Sequence, residues 1–245
     1  IIMMTAYGSI ESSVEAMKLG AHDYILKPYE LDEIKIIVEK ALHYQDLSQE
    51  VISLKAALSE RFQFSNIIGK SKKMQDIFQC VQDTASTTVN MLILGESGTG
   101  KELIAKAIHY NSSRKNQPLV CVNCGAIPES LLESEFFGYK KGAFTGADRD
   151  KSGFLDLAHG GTLFLDEIGE LDHSIQAMVN RAMDENTHEA MRLGDKEPYT
   201  TENIKVICAT ERPKEHLNDS LLYRSGLQVF VPGLDERNDD VEEAI

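Results

Sequence analysis

Seven residues, Gly95-Glu-Ser-Gly-Thr-Gly-Lys101, have the types and spacing to hold a polyphosphate. They fit G-x-x-x-x-G-K, following an apolar strand-like run (Val89–Leu94) and preceding a helical one (Glu102–Tyr110). Glycines let backbone N–H groups converge on phosphate oxygens, and a helix N-terminus adds the positive end of its dipole. In such a loop Gly95, Glu96, Ser97, Gly98, Thr99 and Gly100 wrap the phosphates, and Lys101 neutralises the β- and γ-groups. The expected ligand is ATP. Glu102 stands where a Ser or Thr hydroxyl usually helps hold Mg²⁺, so the general motif is matched incompletely.

A second constellation is Gly160-Gly-Thr-Leu-Phe-Leu-Asp166-Glu167, an apolar strand delivering two carboxylates. Asp166 is suited to hold Mg²⁺ directly or through water, and Glu167 to orient and activate the attacking water. Alone, an Asp-Glu pair at a strand end is ordinarily a solvated terminus. With a phosphate loop upstream, hydrolysis is the better account. Between these motifs lies Gly142-Ala-Phe-Thr-Gly-Ala147, small residues with one aromatic and one hydroxyl between two glycine hinges. Phe144 at such a tip can bury a large area in a partner, or fold back on its own domain.

These residues need a parallel sheet to position them. Apolar runs at Val89–Leu94, Leu119–Val122, Thr162–Leu165 and Ile204–Ala209 read as strands, with Val229–Val231 as a short last one. Strands alternating with helices imply a mostly parallel sheet covered on both faces, an α/β fold. A smaller α/β piece precedes it. Ile1–Ala6 and Asp23–Leu26 read as strands, a helix starts near Gly8 or Ser9 and stops at Gly20, and Leu31–Leu42 is periodic as a helix. Ile1–Thr5 reads as the middle of a strand, so the chain is expected to be a piece of a longer one. From Tyr44 to Phe62, Leu47, Val51, Leu54 and Leu58 form a seam about two heptads long. It fits a linker helix pairing two protomers, and equally one packing on its own domain.

Composition restricts the classes. The 245 residues are 42% hydrophobic and 26% charged, as in an ordinary globular protein, and no apolar run is long enough to span a membrane. A net charge of −14 argues against this piece gripping DNA through its overall field. Cys80, Cys121, Cys124 and Cys208 are too few and scattered for a disulfide framework. The C-x-x-C at Cys121 and Cys124 has no second Cys/His pair, so a strand-like run is the simpler account. With no disulfide framework, a reduced, cytoplasmic setting is expected.

Four segments in order, Gly95–Glu102, Glu133-Ser-Glu-Phe-Phe-Gly138, Gly142–Ala147 and Gly160–Glu170, resemble the AAA+ domain of NtrC-type sigma-54-dependent activators. The resemblance is close over about residues 64–195. Thr5-Ala6, Gly20-Ala21 and Lys27-Pro28 resemble the second half of a response-regulator receiver domain, and a generic α/β piece is the alternative. The implied organisation is a receiver remnant over 1–43, a linker helix over 44–63, an AAA+ domain over 64–235 and the start of a helical lid over 236–245. By the same resemblance Thr5 and Lys27 match the receiver's switch hydroxyl and phosphate-contacting lysine. Ile67, Ile68 and Gly69 match the segment beside adenine, Thr210 belongs to the nucleotide-sensing strand end, and Asn123 matches the switch that holds Glu167. Gly142, Ala143, Phe144, Thr145, Gly146 and Ala147 match the loop that touches sigma-54 RNA polymerase. Arg224 matches an arginine finger that a neighbouring protomer directs at the γ-phosphate, or else is a surface ion-pair residue. A homo-oligomeric ring, hexamer or heptamer, is thereby implied, with DNA bound only through a domain outside this chain.

Three departures bear on turnover. The family's Ala-Thr-Asn is Ala209-Thr210-Glu211 here, placing a carboxylate where it would repel a γ-phosphate. Asn218 stands where a second arginine is usual, and Pro232-Gly-Leu-Asp-Glu-Arg237 replaces Pro-Pro-Leu-Arg-Glu-Arg. Since an arginine finger contributes roughly 10³–10⁵ in rate, binding without efficient turnover is the rival expectation.

Overall fold

The computed structural model describes residues 1–64, 67, 69–184, 189–201 and 203–240, and divides into two compact units, Ile1–Ala57 and Leu58–Ile245. In the first, strand β1 (Ile2–Thr5) pairs parallel with β2 (Asp23–Leu26). Helix α1 (Ile10–Lys18) starts at Ser9 because its hydroxyl accepts from Ser12 N (3.1 Å) while Ser12 Oγ accepts from Ser9 N (3.1 Å). That reciprocal box satisfies two N–H groups the helix leaves open. Thr5 and Lys27 meet at one end of this sheet, where Lys27 N donates to Thr5 O (2.7 Å).

Helix α2 (Leu31–Arg61) runs unbroken for 31 residues. The two helices expected at Leu31–Leu42 and over 44–63 are therefore one, and the boundary drawn at residue 43 falls inside it. No residue of α2 is buried, and the seam residues Leu47, Val51, Leu54 and Leu58 are 38–56% exposed.

The second unit begins with α3 (Lys72–Ala85), β3 (Met91–Leu94), α4 (Lys101–Tyr110) and β4 (Leu119–Asn123). Then come α5 (Glu129–Phe137), α6 (Phe154–Leu157), β5 (Thr162–Asp166) and α7 (His173–Ala182). The small antiparallel pair β6 (Glu189–Ala190) and β7 (Tyr199–Thr200) is followed by β8 (Lys205–Thr210), α8 (Asp219–Arg224) and β9 (Leu227–Phe230). Five of these strands form a parallel sheet in the order β4-β5-β8-β3-β9.

Strand periodicity divides the apolar residues between the two faces. Leu92, Leu163, Leu165, Val206 and Cys208 point to one face and pack with Phe136, Leu155, Val179 and Leu221. Their neighbours Met91, Ile93, Phe164, Ile207 and Ala209 point to the other, against Met74, Phe78, Val81, Ile104 and Ile108. Each fully buried aliphatic or aromatic side chain contributes roughly 1.5–3 kcal/mol relative to exposure. Two buried bases lock helices to the sheet. Lys205 Nζ donates to Thr84 O (3.0 Å) and Thr87 O (3.1 Å), closing the C-terminus of α3, and burial pushes its amine down to about 8. His109 Nδ1 meets Thr162 Oγ1 at 2.9 Å, and burial lowers the imidazole to about 4.

The connection from β3 leads outward to the edge strand β4, whereas β8 leads past β3 to β9. Connections diverging at the C-terminal end of β3 open a crevice there, the usual ligand position in such sheets.

Candidate functional site

The turn after β3 can only be built with glycine at several positions. Gly95 has φ 156°, and a Cβ there would lie 2.6 Å from Val231 O at the end of β9. Gly98 and Gly100 have φ 76° and 96°, left-handed values that a side chain disfavours. Glu96 O accepts from Thr99 Oγ1 (2.9 Å) and from Lys101 Nζ (2.8 Å), and Gly95 O also accepts from Lys101 Nζ (2.8 Å). Lys101, 8% exposed, thus holds its ammonium against the loop at the head of α4. Glu96 and Ser97 are exposed on the outer side of the turn, while Glu102 pairs with Lys106 (2.7 Å) one helical turn on.

Register brings the other strand ends to the same edge. Leu94 lies opposite Thr210, and Asn123 opposite Asp166. Burial lifts the Asp166 carboxyl above its usual range; the Glu167 N–H (3.1 Å) and the Lys101 charge oppose this, and Glu102 and Glu211 add to it. Lys101, Glu102, Asp166 and Glu211 therefore share one electrostatic field. Glu167 sits at φ 55°, ψ 41°, a left-handed conformation that is uncommon for a non-glycine residue and sits where strain tends to serve function. Gly125 makes room for its side chain: a Cβ there would lie 2.7 Å from Glu167 Oε2 and 3.5 Å from Asn123 Oδ1. Asn123 Oδ1 in turn accepts from Ala126 N (3.2 Å).

The structure thus brings Gly95–Glu102, Asn123, Asp166, Glu167 and Glu211 to one edge. Thr210 is at the same edge, but its hydroxyl is buried, faces Gly169 and accepts from Arg212 N (3.0 Å). Ile67 lines a cavity beside Gly98–Gly100. Gly69 is buried against Phe78 and Met74 of α3, and Ile68 lies outside the described residues. Asp166 offers carboxylate oxygens at the end of β5, with Glu167 next to it in the chain, and no group of three or more ligating side chains that could hold a metal occurs among the described residues. That donor set fits Mg²⁺, which is commonly held by one or two carboxylates together with substrate phosphates.

The loop 142–147 stands apart from this edge. A bond from Gly142 N to Ala147 O (2.9 Å) closes it, below which Tyr139 and Lys151 exchange backbone bonds of 3.0 and 2.9 Å. Gly142 and Gly146 have φ 84° and 100°. Ala147 is buried, whereas Phe144 is 45% exposed and meets the Tyr139 ring edge-on at 4.9 Å. Phe144 therefore rests partly on its own domain while presenting surface.

Arg224, at the end of α8, is engaged within its own chain. Its Nη1 donates to Asn180 O (2.9 Å) and its Nη2 pairs with Asp184 (2.5 Å). Asn218 caps α8: its Oδ1 accepts from Ser220 N (2.9 Å) and Ser220 Oγ (2.6 Å). Sequence reasoning missed Gly125, Asp184 and the pair Arg212–Glu170, joined by bonds of 2.5 and 2.6 Å beside Thr210. None has a local signal, because each acts through a residue far away in the chain. The C-x-x-C residues part company, Cys121 exposed on β4 and Cys124 buried in the following turn.

A parallel α/β sheet in this strand order, with a phosphate-type loop after β3 and paired carboxylates after β5, defines an AAA+ P-loop domain. Residues 67–229 match the family described as the sigma-54 interaction domain, and the chain belongs to that family of AAA+ domains in two-component transcription regulators. Regulatory protein AtoC of Escherichia coli strain K12 is 43% identical over 248 residues, 98% of this chain and 53% of AtoC. Transcriptional regulatory protein ZraR of the same strain is 41% identical over 98% of this chain and 54% of ZraR. The crystal structure of NtrX from Brucella abortus in complex with ATP superposes with TM-score 0.68 at 32% identity, covering 99% of this chain and 54% of that one. The chain spans about half the length of the curated relatives it matches. No helix among the described residues is long and apolar enough to cross a membrane.

Proposed function

We propose that the chain hydrolyses ATP at the edge formed by Gly95–Glu102, Asp166 and Glu167, and uses the turnover to move the loop 142–147 against sigma-54 RNA polymerase. The observation carrying this is the glycine turn after β3, which holds Lys101 Nζ on the Gly95 and Glu96 carbonyls at the sheet edge where the strand ends bring Asn123, Asp166 and Thr210. Lys101 neutralises the β- and γ-phosphates, releasing its hold on the Gly95 and Glu96 carbonyls. Asp166 would hold Mg²⁺, whose chemistry is to neutralise phosphate charge. Glu167 orients the attacking water, and Asn123 sets the position of Glu167 across Gly125. Arg224 acts on the γ-phosphate of a neighbouring protomer in a hexameric or heptameric ring, after leaving Asp184. Residues 1–43 act as a receiver remnant, 44–63 as the linker that includes the second half of α2, 64–235 as the motor and 236–245 as the start of a lid. Such a protein works in the cytoplasm, and DNA is bound through a domain outside this chain.

The test is Mg²⁺-dependent ATP hydrolysis against protein concentration, with Glu167→Gln as control. Activity rising more than linearly and absent in the control supports a ring motor. Linear activity unchanged by Glu167→Gln would contradict it. A second account, a nucleotide-binding regulatory module with weak turnover, is favoured by Glu211 adding negative charge at Asp166 and by Asn218 acting as a cap. ATP binding without turnover at any concentration would select it.

A further inference from the structure

The turn that carries Glu167 is held from two sides. Its apolar side is fixed by the core, where Ile168 is fully buried and Leu171 nearly so. Its polar side is fixed by Arg212, which follows the end of β8 by two residues. The guanidinium grips Glu170 through two bonds, Nε to Oε1 (2.5 Å) and Nη2 to Oε2 (2.6 Å). Arg212 N donates to Thr210 Oγ1 (3.0 Å), so the side chain is rooted at the end of β8. Gly169 lets the two segments close: a Cβ there would lie 2.7 Å from Thr210 Oγ1 and 3.1 Å from Arg212 Cβ. Exposed ion pairs generally contribute little, but a bidentate arginine–carboxylate pair fixes orientation as well as distance.

Glu170 is tied in turn to Glu167. Its N–H donates to Glu167 O (2.9 Å). Its Cγ would lie 3.6 Å from a Cβ built on Gly125, and Glu167 Oε2 2.7 Å from the same point. The stem of Glu170 and the carboxylate of Glu167 thus flank one small space. Glu167 has φ 55°, a left-handed state that a non-glycine residue keeps only where its surroundings over-determine it. Glu170 also borders a cavity of about 310 Å³ with Cys124, Ile127 and Leu132 in its walls, so apolar packing leaves its side chain room to turn away. The pair with Arg212 removes that freedom. We propose that Arg212 is a positioning residue: through Glu170 it clamps the turn after β5 to the end of β8 and keeps Glu167 aimed at the attacking water. This rests on the assignment of Glu167 to that water.

The experiment measures kcat, KM and equilibrium affinity for ATP in the unaltered chain, Arg212→Ala, Arg212→Lys, Glu170→Ala and the double alanine variant. Arg212→Ala is expected to lower kcat on the order of tenfold, short of the 10²-fold cost of moving a catalytic group directly by an ångström. KM and ATP affinity should stay within about twofold, because neither side chain belongs to the phosphate loop. Arg212→Lys keeps the charge but not the planar fork, and should recover part of the loss. The double variant should turn over like Glu170→Ala alone, since a residue that acts through another adds nothing once that other is gone. Unchanged kcat in Arg212→Ala overturns the proposal. So do losses that multiply in the double variant, or a fall in ATP affinity large enough to account for the lost activity. If an alanine variant does not fold, Glu170→Gln keeps the shape without the charge, and unchanged kcat there overturns the proposal equally. Absence of hydrolysis by the unaltered chain removes the assignment of Glu167 and this proposal together, an outcome distinct from the others.

Discussion

Asn218→Ala removes the carboxamide oxygen that accepts from Ser220 N and Ser220 Oγ at the start of α8. The backbone N–H of Asn218, which donates to Gln176 Oε1 (2.8 Å), is untouched, so the loss is confined to the cap. Removing an Asn cap costs about 1 kcal/mol, within a range of roughly 0.5–2. For a unit the size of Leu58–Ile245, that corresponds to a fall in Tm of about 2–4 °C. Asn218→Asp keeps an acceptor oxygen and should unfold with the unaltered chain. Asn218→Arg, the residue the family resemblance would place there, cannot accept a hydrogen bond and should lose as much as alanine. Thermal unfolding followed by circular dichroism, at fixed protein concentration, reads the order. Alanine and arginine variants melting with the unaltered chain, or an aspartate variant melting as low as alanine, would refute the capping role. The result also bears on turnover, since α8 carries Arg224 and loosening it moves that guanidinium.

Gly125→Ala places a methyl group against Glu167 Oε2, displacing the carboxylate while leaving the phosphate loop alone. ATP affinity should hold, and kcat should fall on the order of 10²-fold, the usual consequence of an ångström-scale misplacement; unchanged kcat would show that Glu167 does not position water. Asp184→Asn removes the charge that holds Arg224 within its own chain, and ATP hydrolysis at a given protein concentration should rise, by up to about fivefold for a partly exposed ion pair. A fall in activity would mean that Asp184 aims Arg224 instead of restraining it. His109 binds a proton near 6.5 when unfolded and only at about 4 when folded, so stability is complete above 6.5 and declines as pH falls toward 4. Tm measured from pH 7 to 4 should fall less steeply in His109→Gln, and parallel curves would count against it.

The sequence alone determined the strands and the two chemical motifs, because those signals are local. An apolar run of four to six residues ending in a glycine turn or a carboxylate pair reads the same whatever surrounds it. Helix α3 is also legible in the sequence, with Met74, Phe78, Val81 and Ala85 on one face. Tertiary structure decided what depends on distant partners. Gly125 matters because β4 and β5 are neighbours in register, and Arg212 because it reaches Glu170 from 42 positions away. The continuity of α2 was hidden by a composition change that helix propensity tolerates, since nothing between Leu42 and Tyr44 breaks a helix. In the sequence, Asn218 stands where a second arginine is usual, and Arg224 reads either as an arginine finger or as an ion-pair residue. Packing shows that Asn218 caps α8 and that the ion-pair partner of Arg224 is Asp184, because capping and the choice of partner are set by geometry and not by residue type.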